Sequence, residues 1–177
     1  MAYEDLRTYL DSLKREGLFH WVENTVDPSW EVSSIARMIF RGYSEEDRYG
    51  LGFRNIKGCS EGRLVTGVTA ISSRQIGVAV EAEPSPGAIF ERVNEGIRNP
   101  ILPVMVDTGP CKDVILRDSA VDLTKFPVPT WTPEKDGGPY FTPLWVTKDP
   151  ETGVRDIGVR RCQLKGPRNT GIQFAAP

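Results

Sequence analysis

Histidine is almost missing from this chain: His20 is the only one. A lone histidine next to Trp21 reads as a packed or surface residue, not as a ligand or a catalytic base. Cysteine is scarce as well. Cys59, Cys111 and Cys162 are odd in number and widely spaced, which fits neither a disulfide framework nor a zinc knuckle and points to reduced thiols. Neither sign of charge dominates, with 22 basic against 24 acidic residues and a formal charge of -2. That balance supplies no basic field for nucleic acid and no polybasic patch for a membrane. No apolar run approaches the roughly 18 residues that cross a bilayer, and the opening "MAYEDLRTYLDSLKREG" is acidic and amphipathic, unlike a signal peptide. The expectation is a cytoplasmic protein without membrane or nucleic-acid partners. No internal repeat or low-complexity tract stands out.

What is present suits a folded chain: 39% of residues are hydrophobic and 26% charged. Leu6, Tyr9, Leu10 and Leu13 fall at helical spacing, with Gly17 as the stop. "LFHWVEN" reads as a strand. Asp27 and Pro28 start a second helix with Val32, Ile35, Ala36 and Ile39 on its buried face. "LGFRNIKG" and "RLVTGVTA" read as two strands joined by a turn at Gly58 to Gly62. Ser85 and Pro86 begin a third helix carrying Ile89, Phe90, Val93 and Ile97 inward. Prolines then punctuate residues 100 to 143, which should run as short strands and extended loops. "FTPLWVTKD", "RDIGVRRCQL" and "TGIQFAA" return to strand patterns, with "DPETG" as the turn between the first two. Helices with a few strands followed mostly by strands make the class α+β, with a boundary near residue 108 dividing 1–107 from 108–177.

One detail of "GVRDIGVRRCQL" asks for an explanation. Side chains alternate along a strand, so Ile157, Val159, Arg161 and Gln163 share one face while Gly158, Arg160, Cys162 and Leu164 share the other. Arg161 therefore follows the apolar pair. A guanidinium beside a packed face stays charged, and leaving it unpaired costs several kcal/mol. Arg161 should have an anionic partner or a wet cavity.

The stretch "PVPTWTPEKDGGPYFTPLWVTKDPETGVRDIGVRRCQL" resembles the UbiD-like decarboxylase family. A proline-rich approach, a "DGGPY" turn, a "TKDPETG" hairpin and a strand ending in arginine and glutamine occur in that order. "YEDLRTYLDSLKREG", "VDPSWEVSSIARMI" and "GFRNIKG" extend the resemblance weakly to the front. It implies a prenylated flavin mononucleotide with manganese, often with potassium near its phosphate, that removes or adds carbon dioxide on unsaturated or aromatic acids. It also implies that the second segment, from residue 108, begins a split β-barrel of the flavin-reductase kind.

By position the resemblance makes Asp156 the metal ligand and Arg161 the catalytic arginine, facing the substrate carboxylate. It gives backbone contacts to the flavin to Val159 and Arg160, has Arg161 facing the flavin as well, and gives a second contact strand to Gln173, Phe174 and Ala175. Aspartate stands at 156 where the family has asparagine; a carboxylate is a good hard ligand but adds a charge. Asp156 and Arg161 lie on opposite strand faces, so a bulge at Gly158 or a twist must bring them to one pocket. A second metal ligand and two catalytic glutamates are implied beyond the residues present. The chain is therefore expected to be the flavin- and metal-binding portion of a carboxy-lyase, inactive alone, oligomeric and completed by a second polypeptide. The alternative is a non-catalytic flavin-binding or assembly subunit. An exposed apolar surface is expected near the C-terminus, where Ile172, Phe174 and Ala175 border a region that another domain covers in the family.

Simpler readings stand beside these. Asp156 reads equally as a turn-flanking residue bonded to its own backbone. Arg160 reads as a solvated partner of Glu151 or Asp149, and Cys162 as a small strand hydrophobe. "GCSEG" is a turn, and Trp131 and Trp145 are core residues, with Trp131 also a candidate for lining a pocket.

Overall fold

Asp5 starts the first helix, α1 (Leu6–Arg15), through a capping box: its carboxylate accepts the Thr8 N–H at 2.9 Å, while the Thr8 hydroxyl accepts the Asp5 N–H at 3.3 Å. Gly17, at φ 71°, ends it where a side chain would be strained. The computed structural model describes residues 3–60, 62–69, 71–132 and 134–172. It has two units: Met1–Asn24, Ser34–Asn55 and Arg63–Ile115 form one, and Thr25–Ser33, Ile56–Gly62 and Leu116–Pro177 form the other. The class is mixed α+β with small sheets, and no barrel closes among the described residues.

In the first unit, β1 (Phe19–Val22) pairs in parallel with β2 (Gly50–Phe53), which pairs antiparallel with β3 (Leu64–Thr66). Leu13, Leu18, Phe19 and Phe53 are buried almost completely. Gly52 is required beneath them, because a Cβ there would stand 2.4–2.6 Å from the rings of Trp21 and Phe19. The helix α3 (Ser73–Val80) was not expected from the sequence. Ser72 caps it, but Gly77 interrupts its pattern. A Cβ at Gly77 would stand 2.7 Å from the Ala82 carbonyl, so close approach accounts for the glycine. Gln75 on this helix is fully buried. Its amide donates to the carbonyls of Leu18 (3.1 Å) and Gly67 (2.9 Å) and accepts from the Ile71 N–H (3.4 Å). Nearby, the Tyr9 hydroxyl donates to the Val68 carbonyl at 2.6 Å, and burial beside Tyr3 pushes its phenol up to about 12.

Two expectations about helices are corrected. The helix α2 (Glu31–Gly42) begins after Asp27 and Pro28, not at them. Asp27 is engaged in a turn: its carboxylate accepts the Ser29 N–H at 2.8 Å and pairs with Lys57 at 3.0 Å, and its N–H donates to Glu31 at 2.6 Å. The helix α4 (Pro86–Arg98) has its expected Ser85 cap, yet its apolar stripe is not inward. Phe90 and Ile97 are 67% and 70% exposed and Val93 is exposed too, while Ile89 is half-buried; among the described residues α4 packs chiefly on α3. Downstream, 101–106 form no strand, and only short 3₁₀ turns follow before residue 126.

In the second unit, β4 (Tyr140–Phe141), β7 (Cys162–Gly166) and β8 (Asn169–Ile172) form one antiparallel sheet in the order β4-β7-β8. The strands β5 (Leu144–Lys148) and β6 (Arg155–Val159) form a separate hairpin. Its turn is the expected one. The Asp149 carboxylate accepts the N–H groups of Thr152 (2.7 Å) and Glu151 (2.8 Å), and Gly153 sits at φ 74°.

Candidate functional site

"RDIGVRRCQL" was read as one strand, but it is two. The ladder stops between Val159 and Cys162, opposite Thr142 and Pro143. Proline has no N–H to donate, so a ladder that reaches Pro143 must open there. One bond survives, from the Arg160 N–H to the Pro143 carbonyl at 3.3 Å. The register does not slip across the gap: Leu144 faces Val159 on one side and Phe141 faces Cys162 on the other. Alternation is therefore preserved while the two arginines leave the ladder.

Arg161 goes to a pocket of about 370 Å³, lined with it by Lys135, Asp136, Tyr140, Gln163 and Ile172. Its guanidinium carbon lies 5.7 Å from the centre of the Tyr140 ring, within cation–π range. The "DGGPY" turn forms another wall. A Cβ on Gly137 or Gly138 would meet the Gln163 amide at 3.0 and 3.4 Å, so the glycines admit this side chain. The Trp131 indole donates to the Tyr140 carbonyl at 3.2 Å, and the Asp136 carboxylate accepts the Thr132 N–H at 2.6 Å, which fixes the turn. Burial raises the Tyr140 phenol; Asp136 raises it further and Arg161 opposes the change. Arginine and lysine, an amide, the phenol and the Asp136 carboxylate thus line one space, in which the Arg161 guanidinium is the planar donor. Lys135, Asp136, Tyr140 and Gln163 were not singled out as site residues: strand parity put Gln163 on the face of Arg161, and Asp136 and Tyr140 lie in the quoted "DGGPY" turn, but no sequence signal pointed to Lys135.

Arg160 lies on the other face. Its guanidinium folds back over Gly158, where a Cβ would meet it at 2.3 Å, and reaches to 3.9 Å from the Asp156 carboxylate. Asp156 is exposed and does not line the Arg161 pocket, and the hairpin register shows no bulge at Gly158. Trp145 pairs with Gly158, which puts it on the face of Asp156 and Arg160; its buried indole nitrogen has no hydrogen-bond partner among the described residues. Val159 is 60% exposed. Gln173, Phe174 and Ala175 lie outside the described residues; Ile172 is half-buried. His20 is exposed and stacks edge-on with Tyr49 at 4.6 Å, in keeping with a surface residue.

Residues 103–177 match the family model described as UbiD, 3-octaprenyl-4-hydroxybenzoate carboxy-lyase Rift-related domain. An uncharacterized protein of Archaeoglobus fulgidus is 31% identical over 98% of this chain, which spans 38% of that relative. A dimeric evolved form of the UbiD-class enzyme HmfF from Pelotomaculum thermopropionicum, solved with prFMN, aligns with 98% of this chain and 39% of its own (TM-score 0.82, 27% identity). The vanillic acid decarboxylase ShVdcCD of Sedimentibacter hydroxybenzoicus in its closed form does so with 98% of this chain and 37% of its own (TM-score 0.85, 27% identity). The chain therefore spans about two fifths of the length of these proteins.

Proposed function

The chain resembles, over nearly its whole length, the N-terminal and central part of UbiD-like decarboxylases, and from that premise we propose that it is the flavin- and metal-binding portion of a non-oxidative carboxy-lyase acting on unsaturated or aromatic carboxylic acids. Residues 108–177 are then the beginning of its split-barrel flavin domain. The observation that carries this reading is the pocket in which Arg161 and Gln163 meet the "DGGPY" turn. Its chemistry suits a carboxylate held by a planar donor, with Tyr140 as a ring for an aromatic acid to pack on.

The anionic end of a flavin cofactor is assigned to the face shared by Arg160, whose guanidinium lies between the Val159 carbonyl and Asp156, and by Trp145, whose buried indole N–H has no partner among the described residues. For the metal the fit is partial. Asp156 supplies one hard oxygen ligand, and no group of three His, Cys, Asp or Glu residues is assembled among the described residues. Prenylated FMN supplies an electron sink for loss of carbon dioxide, with manganese, and potassium near the phosphate, as its companions. Arg161 orients the carboxylate, and Gln163 braces the turn opposite it. The acid that protonates the product comes from a second polypeptide, in a cytoplasmic, oligomeric enzyme.

The test is reconstitution with prenylated FMN and manganese, together with the remainder of a UbiD-like enzyme, followed by exchange of labelled carbon dioxide into a panel of aromatic and unsaturated acids. Exchange that disappears in Arg161→Ala and is not restored in Arg161→Lys is the expected result. Flavin bound without any exchange would favour the alternative, a non-catalytic flavin-binding or assembly subunit. No flavin bound in any mixture would overturn both.

A further inference from the structure

Two guanidinium groups share one aromatic ring in the first unit. Trp21 lies across Gly52, its partner in the parallel β1–β2 register, and Phe19 braces it edge-on at 5.0 Å. The guanidinium carbon of Arg54 lies 4.5 Å from the centre of this ring and that of Arg63 lies 5.8 Å from it, both within cation–π range. The backbone brings them there. The β2–β3 ladder ends with Phe53 opposite Leu64; Arg54 follows the one and Arg63 precedes the other, so the arginines flank the end of the ladder. Like charges at facing strand positions repel and weaken a sheet. Among the described residues a single carboxylate answers them. Glu23 pairs with Arg54 at 3.0 Å and is itself 61% exposed, whereas the exposed Arg63 has no ion pair or side-chain hydrogen bond there.

We propose that Arg54 and Arg63 form an anion site that takes a phosphate group, with Trp21 as the platform that holds both guanidinium groups in place. The proposal goes beyond the carboxy-lyase reading and does not depend on the Arg161 pocket. A guanidinium that rests on a ring by its face keeps its N–H edge free to donate. One such fork satisfies a carboxylate, as Arg54 does with Glu23. A phosphate differs in shape and charge: its tetrahedral oxygens accept from two forks at once, and its charge cancels the repulsion between them. Because the ring gathers the arginines beforehand, less side-chain freedom is lost when the anion arrives. The formal charge of -2 limits the ligand to a small phosphate-bearing molecule, since a nucleic acid requires a wider basic field. Free phosphate and the phosphate monoester of a metabolite present the same chemistry.

The test is a titration of the chain with inorganic phosphate and, in a parallel arm, with ribose 5-phosphate, at constant ionic strength held with chloride. Nuclear magnetic resonance reads the Nε–H signals of the arginines and the indole N–H of Trp21. Saturable shifts of Arg54, Arg63 and Trp21 together are the expected result. Arg63→Ala and Arg63→Gln should each weaken binding about tenfold or more, and Arg63→Lys should not restore it, because an ammonium lacks the fork. Glu23→Gln should tighten binding by a few-fold, since it frees Arg54 from its carboxylate. Arg98→Ala, at an exposed position on α4, should leave binding unchanged. Circular dichroism of each variant should match the wild type, because the altered side chains are exposed. Tighter binding of the ester assigns the site to a phosphorylated metabolite, and equal or weaker binding assigns it to free phosphate; either supports the shared chemistry. The proposal falls if the shifts fail to saturate or follow chloride equally. It falls as well if the Arg63 variants bind phosphate like the wild type, which would leave the two arginines as a cover that shields Trp21 from water.

Discussion

Leu13 and Leu144 are the same residue in opposite circumstances. Leu13 is completely buried against Phe19 and its neighbours in the first unit, whereas Leu144 stands 68% exposed on the hairpin of the second. The contrast extends to their surroundings. The first unit buries Tyr9, Leu10, Leu18, Phe19, Leu51 and Phe53 and satisfies its buried polar atoms through Gln75 and Tyr9. Among the described residues the second buries the smaller side chains Val26, Val32, Ile56, Val128 and Cys162, and the apolar face of its β5–β6 hairpin is exposed. The larger buried side chains thus lie in the unit that does not hold Arg161, although the two units interleave along the chain.

The comparison can be broken most sharply in the first unit. Phe53→Ala should cost about 3–5 kcal/mol, because it removes a fully buried ring and leaves a cavity. Chemical denaturation should show this as a large fall in midpoint; a change below about 1 kcal/mol would mean that the core is looser than its burial implies. Gln75→Leu comes next, at about 2–3 kcal/mol, since the carbonyls of Leu18 and Gly67 and the N–H of Ile71 lose their partner together. Denaturation of Gln75→Glu beside it should show whether the amide's donors matter, because a carboxylate cannot donate to the two carbonyls.

In the second unit the same kinds of change should barely register in the isolated chain. Leu144→Ser should shift stability by no more than about 0.5 kcal/mol, as expected for a position already in water. The two arginines sharpen the point by activity instead. Arg161→Ala in the reconstituted enzyme should lose roughly a hundredfold in rate, about 2–4 kcal/mol of barrier, while Arg160→Ala loses much less. If Arg160→Ala is the damaging change, the assignment of faces is inverted.

The smallest effect is one of pH. Hydrogen bonds from the Thr152 and Glu151 N–H groups hold the Asp149 carboxyl below its usual value. A depressed folded value means that the carboxylate's contribution is complete above the ordinary aspartate value of about 4 and is lost as pH falls through the lower folded one. Amide exchange at Thr152 should therefore accelerate only on the acid side of that range. In Asp149→Asn the acid-side change should vanish; its persistence would assign it to another group.

Much of this was legible along the chain because it depends on neighbours in sequence. The Ser85–Pro86 start of α4, the "DPETG" turn and the pairing of its flanking strands follow from caps, glycine conformations and alternation. Alternation also separated Arg161 and Gln163 from Arg160, a division that survives the gap at Pro143 because the register does not slip. The misreadings share one cause. An amphipathic stripe reports which face is apolar but not whether anything covers it, so Phe90 and Ile97 were placed inward and are exposed. Gly77 hid α3, since its purpose is a contact with Ala82 that no periodicity records. Lys135, Asp136 and Tyr140 join Arg161 only through the pairing of β4 with β7, a contact across more than twenty residues. Local chemistry determined the elements and the direction of each arginine. Which faces are covered, and which distant side chains share a pocket, was decided by tertiary structure, because burial and convergence depend on what packs opposite and not on what lies next in the chain.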